Sequence, residues 1–169
     1  MIFKKYKMCL HEIDRQEMVI CQSKIPLSFV PVDFENAKIV KNLRGKKYIK
    51  KFKKQLKNGD YGLYAFCDGV VVGYGWQKNA GSKDLFYIID DGCSYLSQFF
   101  VNSTYRGKNI YPVIINELIN TTDYNKYYIA AYDTNTSSLR GISKVGFSFV
   151  RHDVFVRFLK KTFFKKRLV

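Results

Sequence analysis

Runs of apolar and aromatic residues divide the chain into short segments with the pattern of β-strands. The predicted strands are SFVPV, YGLYAFC, VVVGYGWQ, SYLSQFFV, YYIAAY, FSFVRHD and VFVRFLK, and KMCLHEI near the start is a weaker candidate. The dipeptide Asp68-Gly69 separates two of them, and Asp-Gly is a favoured two-residue turn between β-prone segments. We therefore expect YGLYAFC and VVVGYGWQ to form a β-hairpin.

Other segments have apolar residues at helical spacing. Helices are predicted over residues 14–24, 34–43, 46–57, 107–120 and 136–144. Asp14 and Glu17 have the spacing of a helix cap for the first of them. After that N-terminal part the order is strand, two helices, three strands, helix, strand, helix and two strands. This order, without repeats or an evident linker, predicts one α/β domain.

The composition agrees with a single packed domain over residues 1–169. Hydrophobic residues make up 47% of the chain and aromatic residues 17%, which is enough for a core. Residues 1–27 read as an N-terminal extension and residues 159–169 as a basic tail. No apolar run approaches the ~20 residues of a membrane span, and the start MIFKKYKMCL is too short and too charged for a secretory signal. We expect a cytoplasmic protein.

The cysteines do not have the spacing of a metal site. Cys9, Cys21, Cys67 and Cys93 are scattered without a C-x-x-C pair, and the chain has two histidines. Zinc sites and disulfide frameworks usually show closer spacing. We therefore expect buried thiols and no metal.

The net charge of +15 predicts an anionic partner. Much of this charge lies in two runs, residues 44–57 and 159–169. Nucleic acid, an anionic membrane surface and a polyphosphate cofactor would all be attracted to such a field, and the charge alone leaves these alternatives open. A solvated basic face is a further alternative.

The stretch FFVNSTYRGKNIYPVIINELI combines a strand, a basic turn and the start of a helix. The first N–H groups of a helix lack intrahelical acceptors, and the helix dipole adds partial positive charge there. Arg106 and Lys108 add cations, and Pro112 suits the first helical turn. The amides of residues 107–111 therefore predict a site for an anion such as pyrophosphate. An ordinary basic turn that caps a core helix would give the same pattern.

The same stretch resembles the acyl-CoA signature of the GNAT superfamily of N-acyltransferases, a hydrophobic strand followed by a Q/R-x-x-G-x-G/A turn and a helix. A second element, IAAYDTNTSSLRGISKVGFSFVRHDVF, is similar to the family's later strand and helix with their "K-x-G-F" ending at residues 144–147. The resemblance covers about residues 61–158. It implies a mixed, mostly antiparallel sheet of six to seven strands with a splayed central parallel pair, flanked by about four helices.

The resemblance also implies that acetyl-CoA or another acyl-CoA is the co-substrate, bound without a metal. The residues that would hold it are Phe99, Phe100, Val101, Arg106, Gly107, Lys108, Asn109, Ile110, Tyr111, Asn135 and Ser138. Three positions depart from the family. Asn109 and Tyr111 replace small residues of the turn, and Ile142 stands where many members have a tyrosine that protonates the leaving thiolate. Asparagine tolerates positive φ, whereas the Tyr111 ring must point aside or the phosphates must sit differently.

Chemistry in the family is direct attack of an amine on the thioester carbonyl. By resemblance, the backbone N–H of Val101 would stabilise the oxyanion. Asp133 is a candidate general base, acting through a water, and Ser97 is a further candidate catalytic residue. A solvated carboxylate beside a helix start is the alternative interpretation of Asp133. Asp90 and Asp91, in IIDDGCS, are better explained as a turn.

The sequence thus predicts an N-acetyltransferase that acts on a small amine, which could be anionic or linked to a sugar. Two alternatives stay open: a GNAT-like domain that binds acyl-CoA without turnover, and a basic nucleic-acid-binding module. The basic tail could also contact an anionic membrane. Monomer and homodimer are both compatible with the sequence.

Overall fold

A computed structural model describes residues 4–80, 82, 87, 89–158 and 161–168. Its strands are β1 (Lys4–Asp14), β2 (Ser28–Pro31), β3 (Tyr61–Cys67), β4 (Val70–Asn79), β5 (Cys93–Val101), β6 (Lys126–Tyr132), β7 (Ser148–Phe158) and β8 (Lys161–Leu168). Its helices are α1 (Lys41–Arg44), α2 (Lys47–Lys57), α3 (Ile110–Asn120) and α4 (Thr136–Lys144), with 3-10 turns at Arg15–Glu17, Asn36–Val40 and Ser103–Tyr105.

The strands form one sheet in the order β2-β3-β4-β5-β6-β1-β7-β8. The central neighbours β5 and β6 run parallel, and the other neighbouring pairs run antiparallel. This confirms the mixed, mostly antiparallel sheet with a central parallel pair and four helices. The hairpin at Asp68 and Gly69 is also present, with φ of 49° and 75°, as a type I′ turn requires.

The described sheet has eight strands, one more than the upper count expected. The weak candidate KMCLHEI is part of β1, which lies between β6 and β7. FSFVRHD and VFVRFLK are one continuous strand, β7, and not two. Arg151 Nε donates to the buried Asp153 carboxylate over 3.1 Å, so the strand continues through its polar residues with that charge paired.

The basic tail contributes the strand β8, which pairs with β7 along the edge of the sheet. Leu159, Lys160 and Val169 of the predicted tail lie outside the described residues, as do residues 1–3 of the predicted extension. In the described part of the chain, the longest helices have 11 residues, and none is long and apolar enough to cross a bilayer.

The helix predicted over residues 14–24 does not form. Only the 3-10 turn Arg15–Glu17 is helical, and the Asp14 side chain caps nothing. The following residues are extended because their N–H groups find partners elsewhere: Val19 donates to the Val145 carbonyl and Lys24 to the Lys108 carbonyl. We call residues 18–25 the strap, since they tie α3 to α4.

Two apolar cores formed with the helices cover the two faces of the sheet, and a third, smaller cluster contains Leu10, Tyr87, Tyr95 and Phe155. On one face, α3 and α4 pack against β3, β5 and β6 through residues that include Leu63, Leu96, Ile114, Leu118 and Ile142. On the other face, α2 packs Phe52 against Tyr64, Tyr74 and Trp76. The two cores hold β5 in the middle, so residues of its C-terminal half alternate between the α3 side and the α2 side.

A buried ion pair joins the exit of α2 to the sheet. Lys78 Nζ lies 2.8 Å from Asp60 Oδ2, and the two side chains are 5% and 0% exposed. Ser82 donates to the other oxygen of Asp60 over 2.7 Å. Lys78→Met would leave the Asp60 charge buried without its partner, so we expect the free energy of unfolding to fall by about 3–5 kcal/mol.

Urea unfolding measures this loss. In the double variant Lys78→Met/Asp60→Asn the uncompensated charge is removed, and most of the stability should return. An equal loss in the single and double variants would show that the ion pair is not the cause.

Candidate functional site

The parallel strands β5 and β6 separate halfway along their length. Their pairing runs from Cys93 opposite Lys126 to Leu96 opposite Ile129 and then stops, although β5 continues to Val101. The cause is an extra residue in β5, because Trp76 pairs with Ser97 while Tyr74 pairs with Phe100. Gln98 takes the left-handed φ of 53° in this bulge. Beyond Leu96, β5 therefore presents an edge that β6 does not cover.

Gly75 allows this bulge to pack. A Cβ at Gly75 would lie 2.5 Å from the Phe99 ring, so the ring occupies the space that a side chain would need. Phe99 packs on the core of α3, whereas Phe100 packs on the core of α2. The end of β5 thus presents one aromatic ring to each face of the sheet.

The Val101 amide points into the gap between the strands. The next N–H group, that of Asn102, donates to the Val72 carbonyl on β4 over 2.9 Å. Because successive N–H groups of a strand point to opposite edges, the N–H of Val101 faces away from β4. The Val101 carbonyl accepts from Arg106 Nε over 3.4 Å. This geometry is compatible with the predicted oxyanion donor.

The turn before α3 leaves its amides open. Asn109 is the N-cap residue with φ of 64°, the positive φ expected for it, but its side chain does not cap the helix. Its Nδ2 donates to the Gln22 carbonyl over 2.7 Å, and its Oδ1 accepts from Lys144 Nζ over 2.8 Å. Among the backbone hydrogen bonds outside the helices and strands of the described chain, none has an N–H of residues 107–111 as its donor, and the first N–H groups of a helix have no acceptor within it. These amides and the helix dipole give the turn the character that suits an anion, as the sequence predicts.

A cleft of about 570 Å³ lies between this turn, the end of β5 and α4. Its lining residues are Phe99, Phe100, Val101, Tyr105, Arg106, Gly107, Asn109, Ile110, Tyr111, Pro112, Asn135, Thr136, Ser137, Ser138, Arg140, Gly141 and Lys144. Three of them are cations, Arg106, Arg140 and Lys144, and none is a carboxylate. The cleft therefore has a positive electrostatic potential.

Tyr111 lies inside the cleft and does not point away from it. Its ring meets the Phe99 ring edge-on at 5.0 Å between centroids and packs against Gly141 on α4, where a Cβ would overlap it. Burial raises the pKa of the Tyr111 hydroxyl, and a hydrogen bond with Ser138 partly offsets this. Tyr111 is therefore protonated at neutral pH and bridges α3 and α4.

Most of the predicted binding residues come together in this cleft. Asn135 lines it and accepts from the Ser138 N–H over 3.2 Å as the cap of α4. Lys108 is the exception, because it does not line the cleft and its Nζ lies 5.3 Å from the centroid of the Tyr105 ring. Ile142 is fully buried in the core, and its hydrocarbon side chain has no proton to donate to a thiolate.

The two side chains proposed for catalysis lie outside the cleft lining. Ser97 is on the α2 side of β5, and its Oγ is buried without a hydrogen-bond partner in the described structure. Asp133 sits against β1, where its N–H donates to the Lys7 carbonyl and its charge helps to raise the pKa of Cys9. Their catalytic roles stay predictions. Asp90 does form the expected turn, since its carbonyl accepts from the Cys93 N–H.

Sequence reasoning missed the strap and the positive φ of Gln98. The strap was predicted as a helix, yet it supplies Gln22, which holds Asn109 in place. No local signal marks Gln98, because its conformation follows from pairing with β4. Arg140 also lines the cleft.

No known protein-family profile matches the sequence, and no match is found among curated proteins. Solved structures do match. A GNAT-family acetyltransferase from Colwellia psychrerythraea superposes with a TM-score of 0.63 at 12% identity, over 98% of this chain and 58% of that one. The glucosamine N-acetyltransferase region of a fungal multi-domain β-N-acetylglucosaminidase gives a TM-score of 0.67 at 13% identity, over 92% and 21%.

A third match is AAC(6')-Iy in complex with the bisubstrate analogue CoA-S-monomethyl-acetylneamine, with a TM-score of 0.59 at 15% identity, over 73% of this chain and 91% of that one. The chain has the GNAT acetyltransferase fold. It spans little more than half the length of several of the matched structures. At these identities the likeness establishes the fold and not the activity.

The packing of Tyr111 on Gly141 gives a test of the cleft geometry. Alanine is favoured over glycine within a helix by about 1 kcal/mol. Gly141→Ala should nevertheless destabilise the protein by about 1–3 kcal/mol, because its Cβ overlaps the Tyr111 ring.

The matched background is Tyr111→Ala, in which the same Gly141→Ala change should be neutral or stabilising. Thermal and urea unfolding of the four proteins give the coupling energy. If Gly141→Ala has the same effect in both backgrounds, the ring does not rest on Gly141.

Proposed function

We propose that this protein transfers an acyl group, most simply acetyl, from acyl-CoA to the amine of a small acceptor. The observation that carries this proposal is the open anion site at the start of α3, placed beside the uncovered edge of β5. An anion site alone would fit many ligands. A strand edge next to it suits a ligand that carries both phosphates and an amide-containing arm, as coenzyme A does.

The residues present fit the phosphates of such a ligand. Residues 107–111 offer open N–H groups, and Arg106, Arg140 and Lys144 surround them with positive charge. The Asn109 side chain is held by Gln22 and Lys144, so it does not compete for the helix N–H groups. The turn is thus organised before a ligand arrives, which reduces the cost of binding.

Pairing of a pantetheine arm with the edge of β5 depends on Tyr111. Its ring lies between Phe99 and Gly141, in the part of the cleft that borders the end of β5. For a pantetheine arm to pair with this edge, the ring has to turn away from Gly141. Binding of acyl-CoA therefore includes the cost of breaking the contacts of Tyr111 with Phe99 and Ser138.

The chemistry requires an unprotonated amine, stabilisation of the oxyanion and departure of a thiolate. In this proposal the amine attacks the thioester carbonyl and the Val101 N–H stabilises the negative oxygen, which is supported by its direction away from β4. Because a free thiol has a pKa of about 8.5, its thiolate leaves without a strong acid, and the absence of a tyrosine at position 142 is tolerable. We keep Asp133, through a water, and Ser97 as the candidates for proton transfer.

The acceptor class is supported by two structural neighbours. One is named as a glucosamine N-acetyltransferase region, and another was solved with a bisubstrate analogue that joins CoA to an acetylated neamine. Both names describe amines on small molecules. We therefore propose a small amine-bearing acceptor for this chain.

A second candidate function is acyl-CoA binding without turnover. The position of the Tyr111 ring favours it, because a ring that does not move would hold the arm short of Val101. The two functions differ in whether an acceptor releases free thiol from bound acyl-CoA.

Thermal unfolding with acetyl-CoA tests the cofactor site. At a hundred times its dissociation constant, a ligand that binds only the folded state adds about 2.7 kcal/mol to the free energy of unfolding. We expect this shift with acetyl-CoA and with coenzyme A, and we expect Arg106→Glu to abolish it. Tyr111→Ala should increase the affinity, since no ring has to be displaced.

Lys50→Glu is the matched control, because it makes the same charge change at an exposed residue of α2, away from the cleft. The Lys50→Glu variant should keep the stabilisation by acetyl-CoA. An identical loss of binding in Lys50→Glu and Arg106→Glu would mean that overall charge, and not the turn, attracts the ligand. No shift with either CoA species in the wild type and in Tyr111→Ala would refute the proposed function.

A further inference from the structure

A group of cations and aromatic rings lies on the α2 face of the sheet, next to the end of β5. We call it the basic aromatic cluster; its members are Arg44, Lys47, Tyr48, Lys51, Tyr74 and Phe100. The Arg44 guanidinium carbon lies 4.3 Å from the centroid of the Tyr48 ring and 4.6 Å from that of Phe100. The terminal nitrogens of Arg44 also donate hydrogen bonds, Nη1 to the Tyr74 hydroxyl and Nη2 to the Tyr48 hydroxyl.

The guanidinium of Arg44 is therefore held in place before any ligand binds. The Tyr74 and Phe100 rings are stacked at 5.9 Å between centroids, and Phe52 packs edge-on against Tyr74. These contacts link Arg44 to the second apolar core. An arginine fixed in this way loses little conformational entropy when it binds an anion.

Among the residues that the structure describes, no carboxylate balances the positive charge of this cluster. In the described structure, no Asp or Glu pairs with Arg44, Lys47 or Lys51, and α2 contains six lysines and no acidic residue. The amines of Lys47 and Lys51 lie 5.6 and 5.9 Å from the centroid of the same Tyr48 ring. Partial burial lowers the pKa of Lys51, and the charges of Arg44 and Lys78 lower it further. These cations repel one another, so an anion placed among them would be stabilising.

The cluster adjoins the candidate site through Phe100. This residue contributes to the wall of the cleft, and its ring packs on the opposite face of the sheet beneath Arg44. The cleft already contains its own anion site at residues 107–111. The basic aromatic cluster is a second concentration of positive charge, on the other side of the end of β5.

We propose that the basic aromatic cluster binds an oxyanion group, a phosphate or a carboxylate, of the amine acceptor. This proposal rests on the proposed function, because it takes the acceptor to approach the end of β5 from the α2 side. The planar guanidinium of Arg44 suits two oxygens of such a group, and the hydroxyls of Tyr48 and Tyr74 keep it oriented. The acceptor is then an amine with a nearby negative charge.

Two pairs of amines provide the test, and in each pair one member carries an anionic group that the other lacks. Glucosamine 6-phosphate is compared with glucosamine, and 4-aminobutyrate with 4-aminobutanamide, by isothermal titration calorimetry. We expect the wild-type protein to bind the charged member of at least one pair about tenfold more tightly or better, as expected for one charge-assisted hydrogen bond. The two pairs distinguish phosphate from carboxylate.

Arg44→Gln should remove the preference for the charged amine, and Arg44→Lys should restore only part of it, because lysine keeps the charge without the fork. Lys57→Gln is the matched control at the exposed end of α2 and should keep the full preference. Circular dichroism and thermal unfolding check that each variant is folded.

Equal affinity for both members of both pairs in the wild-type protein would overturn the proposal. An equal loss of the preference for the charged amine in Arg44→Gln and Lys57→Gln would also overturn it, because it would indicate a diffuse basic surface. Binding of a short single-stranded oligonucleotide that falls equally in both variants would show that surface directly. The acetyl-CoA shift is measured separately in the wild-type protein, in Tyr111→Ala and in Arg44→Gln. If the charged amine binds through Arg44 but acetyl-CoA does not bind, the oxyanion site stands and the acyltransferase function fails.

Discussion

The separation of β5 from β6 after Leu96 is the constraint on which the site depends. It follows from one extra residue in β5, accommodated by the positive φ of Gln98 and by the missing side chain of Gly75. A regular β5 would stay paired with β6, and the backbone groups of Val101 would be used within the sheet. The bulge instead leaves an uncovered strand edge in the middle of a well-packed sheet, which is an unusual place for unpaired backbone.

The open N–H groups at the start of α3 likewise depend on which hydrogen-bond partners the Asn109 side chain takes. Asn109 could satisfy the first amides of α3 as an ordinary cap, and the site would then be closed. The strap prevents this, because the Gln22 carbonyl and Lys144 bind the Asn109 side chain instead. The strap is extended for the same reason, since its own N–H groups donate to α3, α4 and the turn. One set of hydrogen bonds therefore fixes the strap, positions the turn and keeps the helix amides available.

Two residues, Tyr111 and Arg44, lie on opposite sides of the end of β5. Tyr111, on the α3 side, fills space that a smaller residue would leave empty and links α3 to Gly141 on α4. Arg44, on the α2 side, is stacked on Phe100 without a carboxylate partner in the described structure. Tyr111 contacts Phe99 and Arg44 contacts Phe100, so the alternation of side chains along β5 places these two residues on opposite faces of the sheet.

The sequence by itself determined the mixed α/β order, the Asp68-Gly69 hairpin and the basic turn before α3, because these depend on local periodicity and on conformational preferences of a few residues. The eighth strand, the continuity of β7 and the conformation of the strap were decided by tertiary contacts. Asp153 is tolerated in a strand because Arg151 lies beside it. The strap does not form a helix because its N–H groups donate to α3, α4 and the turn before α3. The direction of the Tyr111 ring and the stacking of Arg44 were likewise invisible in the pattern. Both result from contacts between residues distant in sequence, and only the folded chain brings those residues together.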